Sequence, residues 1–336
     1  MQNYNFIQKL LHDLVLGNKF IKKSLYELEK SIYLKKNSTQ NNKHIFISSL
    51  PRSGTTILLN LIFSSNEFAS LKYSNMPYIL SPNFSKIFPK KEIKKRERFH
   101  GDKIMFDLES PEAFDEVFFS TFNNEEIKNE LVNYVNLILT SQDKTRYLSK
   151  NNLNFNRINL IQSIFPNSLF LILIREPLQH AYSLYKQHIH FLKLQRENDF
   201  IRRYMNYLGH NEFGIDHIYW NKPQKFKDPT KLNYWLEQWT LFYESIYVNY
   251  SSNNKCKFIF YEKLSDARVI KKLLCTLNIS DTIVSPWSYE LTAGENPAYP
   301  ITNQSSYYIG GTKGSIQFPN LKYWYNKKER SWWKKI

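Results

Sequence analysis

The chain has 336 residues, of which 42% are apolar and 16% aromatic, with only 9 glycines. That composition is globular, excludes a long disordered arm, and suffices for one large α/β domain or two small ones. The 46 Lys and Arg against 30 Asp and Glu give a net charge of +16. This favours an anionic ligand, acceptor or surface, although the lysines are spread along the chain rather than gathered in a patch. Cys256 and Cys275 are the only cysteines, too few for a disulfide framework and badly spaced for a metal, so a reducing cytoplasm is the expected setting. With no apolar run of about 18 residues and no export pattern at the start, no transmembrane segment or signal is expected.

Residues 1–42 read as an N-terminal helical segment, with two helices around Gly17. Ile7, Leu10, Leu11 and Leu14, then Phe20, Ile21, Leu25, Leu28 and Ile32, recur at helical spacing. Packing on the domain or on a second copy is the expected use of these stripes. Lys19, Lys22, Lys23, Lys30, Lys35 and Lys36 keep a membrane-surface reading open.

At His44 an apolar strand begins, breaks at Pro51-Arg-Ser-Gly-Thr-Thr56, and resumes as an apolar helix to about Phe63. Such a strand, loop and helix presents unpaired amides and the positive end of a helix dipole, together with Arg52 and the hydroxyls of Ser53, Thr55 and Thr56. The arrangement suits a phosphate or sulfate. An ordinary turn capped by Thr55 is the plain alternative. A Walker loop would need Gly at 49 and Lys at 55, where Ser49 and Thr55 stand.

Pro77, Pro82, Pro89 and the basic stretch Lys90 to Arg98 suggest a surface excursion beside this loop. His100 and Asp102 follow it. Ser110, Pro111 and Glu112 then read as a helix start, with Ser110 as N-cap and Pro111 at the first position, so that Glu112 and Glu116 share one face. A helix over 125–141, a strand over 145–150 ending at Lys150 and Asn151, and a helix over 155–165 are expected next. Residues 168–174 are almost wholly apolar, as in a parallel strand covered on both faces. Arg175 ends that strand, Pro177 suits the first helical position, and Ser183 lies six residues further on, about 9 Å along the helix. Arginine and hydroxyl can therefore converge on one phosphate. Residues 184–230, rich in Tyr, His and Asn without a clean period, read as a helical insertion over the acceptor side or a plain surface excursion. A helix over 231–250, a strand and turn over 257–264 containing Tyr261, and a glycine-rich basic loop, Gly310-Gly-Thr-Lys-Gly-Ser315, complete the chain.

Taken together, residues 43–316 resemble the sulfotransferases that use 3′-phosphoadenosine-5′-phosphosulfate (PAPS). Pro51 to Thr56 matches their P-[KR]-[SG]-G-T-T loop. Arg175 and Ser183 keep the family's eight-residue spacing. Tyr261 to Leu264 is similar to Y-E-[DK]-L, and Lys313-Gly314 is similar to an R-K-G loop with Thr312 in place of the Arg. The segments around His100, Ser110 and Lys150 resemble the bacterial branch related to carbohydrate and tyrosylprotein sulfotransferases.

The resemblance implies a P-loop-like three-layer α/β fold over 43–336, a parallel sheet flanked by helices, with PAPS at the carboxyl ends of the strands. It implies that Arg52, Ser53, Gly54, Thr55 and Thr56 hold the 5′-phosphosulfate and that Arg175 and Ser183 hold the 3′-phosphate. Tyr261 would lie near the adenine, Lys313 and Gly314 would cover the nucleotide, and Lys150 would assist Arg52 in catalysis. The product is 3′,5′-ADP, and no metal is expected. A base should take the acceptor's proton. In the tyrosylprotein branch this is a Glu shortly after the loop helix, but residues 69–76 contain no acid, so His100, Glu112 and Glu116 are the candidates, with Asp102 behind them. The expected acceptor is a hydroxyl of a glycan or glycolipid, then of a small metabolite or a tyrosine. A homo-oligomer stays open. A P-loop kinase-like phosphotransferase is the competing enzyme. A nucleic-acid binder is disfavoured by the lack of an RNP, helix-turn-helix or zinc signature.

Overall fold

Helices and strands alternate along most of the chain, the pattern that builds parallel sheets. The computed structural model describes residues 5–35, 41–88, 95–98 and 104–279. It opens with α1 (Phe6–Gly17) and α2 (Lys19–Tyr33), followed by β1 (Ile45–Ile47), α3 (Thr55–Phe63) and β2 (Phe68–Ala69). A small antiparallel pair, β3 (Arg96–Glu97) with β4 (Met105–Phe106), precedes α4 (Glu116–Thr121) and α5 (Asn124–Gln142). Then come β5 (Arg146–Lys150), α6 (Ile158–Ile164), β6 (Leu169–Ile174), α7 (Pro177–Glu197), α8 (Asp199–Tyr207), α9 (Leu232–Tyr250), β7 (Cys256–Phe260) and α10 (Ala267–Thr276).

Five strands form one sheet in the order β2-β5-β1-β6-β7, every pair parallel. All three residues of β1 are buried, as is nearly all of β6, so these strands are covered on both faces, as their unbroken apolar runs require. Ile47 lies beside Lys150 on one edge and Leu171 on the other. The loop after β1 therefore leaves the sheet between the carboxyl ends of β5 and β6. The expected α/β sheet with N-terminal helices is the fold observed.

Two local expectations are corrected. Residues 110–112 do not start a helix. Pro111 bridges Lys72, Tyr73 N–H donates to Ser110 O, and Glu112 N–H donates to Leu71 O. Backbone already paired with residues 71–73 cannot also wind into a helix, so α4 begins only at Glu116. Between β5 and α6, residues Asn152–Arg157 form 3-10 turns rather than regular helix, with Asn151 capping them. The two helices expected around Gly17 are present, and the break falls at the next residue, Asn18, whose side chain accepts from the Phe20 and Ile21 amides.

Those first helices dock on the domain by a face that periodicity did not single out. His12, Val15 and Leu16 of α1 and Tyr26 and Glu29 of α2 are buried, while Ile7, Leu10, Leu14, Phe20, Leu28 and Ile32 stay exposed. The contacts are largely polar. Lys23 pairs with Glu126 at 2.5 Å, Lys30 with Glu130 at 3.0 Å, and Asp13 with Arg203 at 3.2 Å. No helix among the described residues is long and apolar enough to cross a membrane.

Glu29 is the deepest of these anchors. Its carboxylate is fully buried and accepts from the Asn83 amide and side chain, both at 2.8 Å, and from the Phe84 amide at 3.0 Å. Burial pushes its pKa up against those donors. Glu29→Ala would strand them without water. The expected loss is about 3 kcal/mol of stability in urea unfolding; an unchanged midpoint would show that α2 is not held through this carboxylate.

Candidate active site

The loop after β1 is held from below. Ser49 Oγ donates to Leu173 O at 2.8 Å and accepts from Leu173 N–H at 2.6 Å, extending the pairing with β6 through a side chain. Ser53 Oγ donates to Leu50 O at 2.8 Å. His180, in the first turns of α7, donates from Nε2 to Pro51 O at 2.8 Å, and Arg175 Nη1 donates to Arg52 O at 3.1 Å. In a trans peptide the N–H points opposite to the C=O. With the Pro51 and Arg52 carbonyls fixed toward α7, the Arg52 and Ser53 amides are turned the other way.

Arg52 has φ of 69° and Gly54 of 96°. Left-handed residues in such a loop curl successive amides into a concave anion nest. For Arg52 this conformation costs about 1 kcal/mol or more, supported by the bonds on either side. Gly54 is the N-cap of α3 and has no side chain to accept from the first-turn amides, which stay available to a ligand. A Cβ at Gly54 would also lie only 2.4 Å from Cδ2 of Tyr261, so only glycine lets that ring lie flush on the loop.

Arg175 and Ser183 share this cleft. Arg52 Nε donates to Ser183 Oγ at 3.2 Å, and the Arg175 guanidinium lies 5.0 Å from the centre of the Tyr261 ring. Arg175 is buried, and its Nε has no hydrogen-bond partner among the described residues. A buried guanidinium N–H without an acceptor suits an anionic oxygen. Four of the residues read from the motifs, Arg52, Arg175, Ser183 and Tyr261, thus come together at the ends of β1, β6 and β7.

Lys150, at the end of β5, reaches the same loop from the other side. Its Nζ donates to Thr56 Oγ1 at 2.9 Å and to Glu112 Oε1 at 2.8 Å. Glu112 also pairs with Arg98 at 2.7 Å through Oε2, which accepts from Tyr73 OH at 3.0 Å. Burial alone would raise the Glu112 pKa, but Lys150 and Arg98 overrule it and hold the carboxyl well below the usual range. Glu112 is therefore an ionised anchor for Lys150. Glu116 faces elsewhere. Its two oxygens take the fork of Arg157 at 2.7 and 2.8 Å, and Asn151 adds a bond at 2.8 Å. Between them Asp115 accepts from Tyr147 OH and, at 2.8 Å, from Ser149 Oγ, and burial raises its pKa to about 6. His100, Asp102, Lys313 and Gly314 lie outside the described residues.

Two parts of the site carry no motif. One is His180 beneath the loop, visible in sequence only as a histidine in the first turns of α7. The other is the segment Gly209-His-Asn-Glu-Phe-Gly214, whose flanking glycines were the available signal in a stretch without period. Gly209 has φ of 68°, and a Cβ there would lie 2.5 Å from Cγ of Glu116. His210 Nε2 donates to Ala113 O at 2.8 Å, and Glu212 accepts from Asn152 Nδ2 at 2.9 Å. The segment thus lies against residues next to Glu112 and Lys150.

Residues 44–229 match the model of the sulfotransferase family. Solved structures that match include a sulfotransferase of Mycobacterium tuberculosis, 10% identical, covering 80% of this chain and 76% of that one with a TM-score of 0.45. Others are sulfotransferases of Mycobacterium avium (12% identical, 78% and 70% covered, TM-score 0.42) and Alicyclobacillus acidocaldarius (14%, 72% and 83%, 0.37). No curated protein matches the chain.

His180 gives the loop a pH signature. Burial lowers its pKa to about 3, partly opposed by the bond to Pro51, and Arg175 and Arg52 lower it further. A folded pKa below the unfolded value of about 6.5 contributes stability above that pH which is lost as pH falls toward 3. At pH 4.5 the loss amounts to about 3 kcal/mol, at about 1.4 kcal/mol per unit. His180→Gln keeps a donor for Pro51 O, so its stability should fall less steeply than the parent's between pH 6.5 and 4.5. Parallel curves in urea titrations would show that His180 is not the group responsible.

Proposed function

The chain belongs to the sulfotransferase family, and we propose that it transfers the sulfuryl group of PAPS to an acceptor hydroxyl, that of a glycan or glycolipid. The observation that carries this reading is the junction of two cationic clusters on one cleft, where Arg52 bonds Ser183 and Arg175 bonds the Arg52 carbonyl. A donor with phosphate groups at both ends of one nucleoside needs such a pair. The Nε of the buried Arg175, without a partner among the described residues, and the open glycine cap of α3 supply acceptor-seeking N–H groups for it.

PAPS brings an activated sulfuryl group whose departure leaves negative charge on a 5′-phosphate. Transfer through a loose transition state leaves the protein mainly positioning and charge stabilisation to perform. Arg52 and the nest amides would take up charge developing on the leaving phosphate. Lys150, aimed at Thr56 by Glu112, would add a second cation at the same loop, while Arg175 and Ser183 would select the 3′-phosphate. Thr55 stands where a nucleotide triphosphatase loop carries its lysine, which weighs against ATP. The same reading sets the reaction in the cytoplasm, where the free thiols of Cys256 and Cys275 stay reduced.

Arg52→Ala should lower kcat/KM by roughly 100 to 1,000-fold, the scale of losing one oxyanion-type donor. Transfer of label from [35S]PAPS to a lipid and glycan extract measures it, and unchanged turnover would refute the role. Arg175→Ala should weaken 3′,5′-ADP far more than 5′-AMP in calorimetric titration; equal losses would count against its assignment to the 3′-phosphate.

A further inference from the structure

The described carboxylates around Lys150 are all engaged. Glu112 sits between Lys150 and Arg98, Glu116 lies in the Arg157 fork, and Asp115 is bonded by Tyr147 and Ser149. None has a free, basic oxygen beside the loop, yet sulfuryl transfer to a hydroxyl releases a proton. His210 has what they lack. A carbonyl oxygen only accepts, so the nitrogen facing Ala113 O, Nε2, must carry the hydrogen. In the neutral, half-buried ring the lone pair is then on Nδ1, which is unbonded among the described residues.

The ring's anchor adjoins the Lys150 ion pair. Ala113 accepts from His210 through its carbonyl and donates its amide to Glu112 Oε1 at 2.9 Å, the oxygen that also receives Lys150 Nζ. One residue of backbone therefore links the imidazole to the Lys150 ion pair. Gly209 seats the turn on Glu116, and Glu212 bonds Asn152, two residues beyond Lys150. These contacts hold the segment against the end of β5.

We propose that His210 is the general base that takes the acceptor's proton. The inference rests on the PAPS-dependent reading above. In the step, the acceptor oxygen forms its bond to sulfur while its O–H proton passes to Nδ1 of His210. The bond from sulfur to the phosphate oxygen breaks, and its electron pair leaves with 3′,5′-ADP. A positioned base of this kind is worth roughly 100-fold or more in rate.

The test uses the full chain and needs no identified acceptor, because water can stand in. Release of sulfate from [35S]PAPS is measured beside calorimetric binding of 3′,5′-ADP. His210→Gln keeps an N–H for Ala113 O and removes the base, so sulfate release should fall roughly 100-fold while 3′,5′-ADP affinity stays within about two-fold. In His210→Ala, added imidazole should restore part of the rate, which a merely structural role would not allow. Sulfate release within two-fold of the parent in His210→Gln would overturn the assignment. So would equal losses of rate and nucleotide affinity, or a loss confined to Glu212→Gln. Failure of the unaltered chain to bind 3′,5′-ADP would instead remove the donor reading, and this proposal with it.

Discussion

Two hydrogen bonds to backbone carbonyls set the character of the site. His180 holds the oxygen of Pro51, and Arg175 holds that of Arg52. Each bond turns a peptide so that its N–H faces away from the strand-to-helix junction, and the left-handed Arg52 and Gly54 carry the curl onward. Without them the loop would have to choose its own conformation when an anion arrived, and the cost of ordering would fall on binding. With them the amides are already aimed. Arg175 thus serves the cleft twice, as a clamp on the loop and as a cation whose Nε has no partner among the described residues.

The sheet order makes this arrangement possible. With β1 between β5 and β6, and β7 beyond, the carboxyl ends of four neighbouring strands open on one edge. Arg52 follows the first, Lys150 closes the second, Arg175 follows the third and Tyr261 the fourth. Parallel pairing keeps these ends level, and the residues approach the loop from both sides as well as from above. This is the crevice in which open α/β sheets place their ligands.

Much of this was legible in the chain because it is local. The strand, loop and helix at 45–63, and the arginine, proline and serine of 175–183, are signatures in which neighbours in sequence decide the geometry. The helix expected from Ser110 failed because a long-range competitor, the backbone of Leu71 to Tyr73, had already taken those amides and carbonyls. Glu112 looked like a helical acid for the same reason, whereas its partners Arg98, Lys150 and Tyr73 come from three separate segments. The apolar stripes of α1 and α2 were real, but docking through Tyr26, Glu29 and charged pairs overrode them. His180 and His210 act through single bonds to carbonyls, which leave no trace in composition or period.

The bonds that assemble the cleft join residues far apart along the chain. Lys150 and Thr56 are 94 positions apart, Arg175 and Arg52 are 123, and Arg52 and Ser183 are 131. Closing loops of that length is entropically late in folding. An emerging polypeptide that has made only β1 and α3 holds the signature loop with the local Ser53 bond but none of the long-range bracing, so the assembled cleft depends on strands made much later.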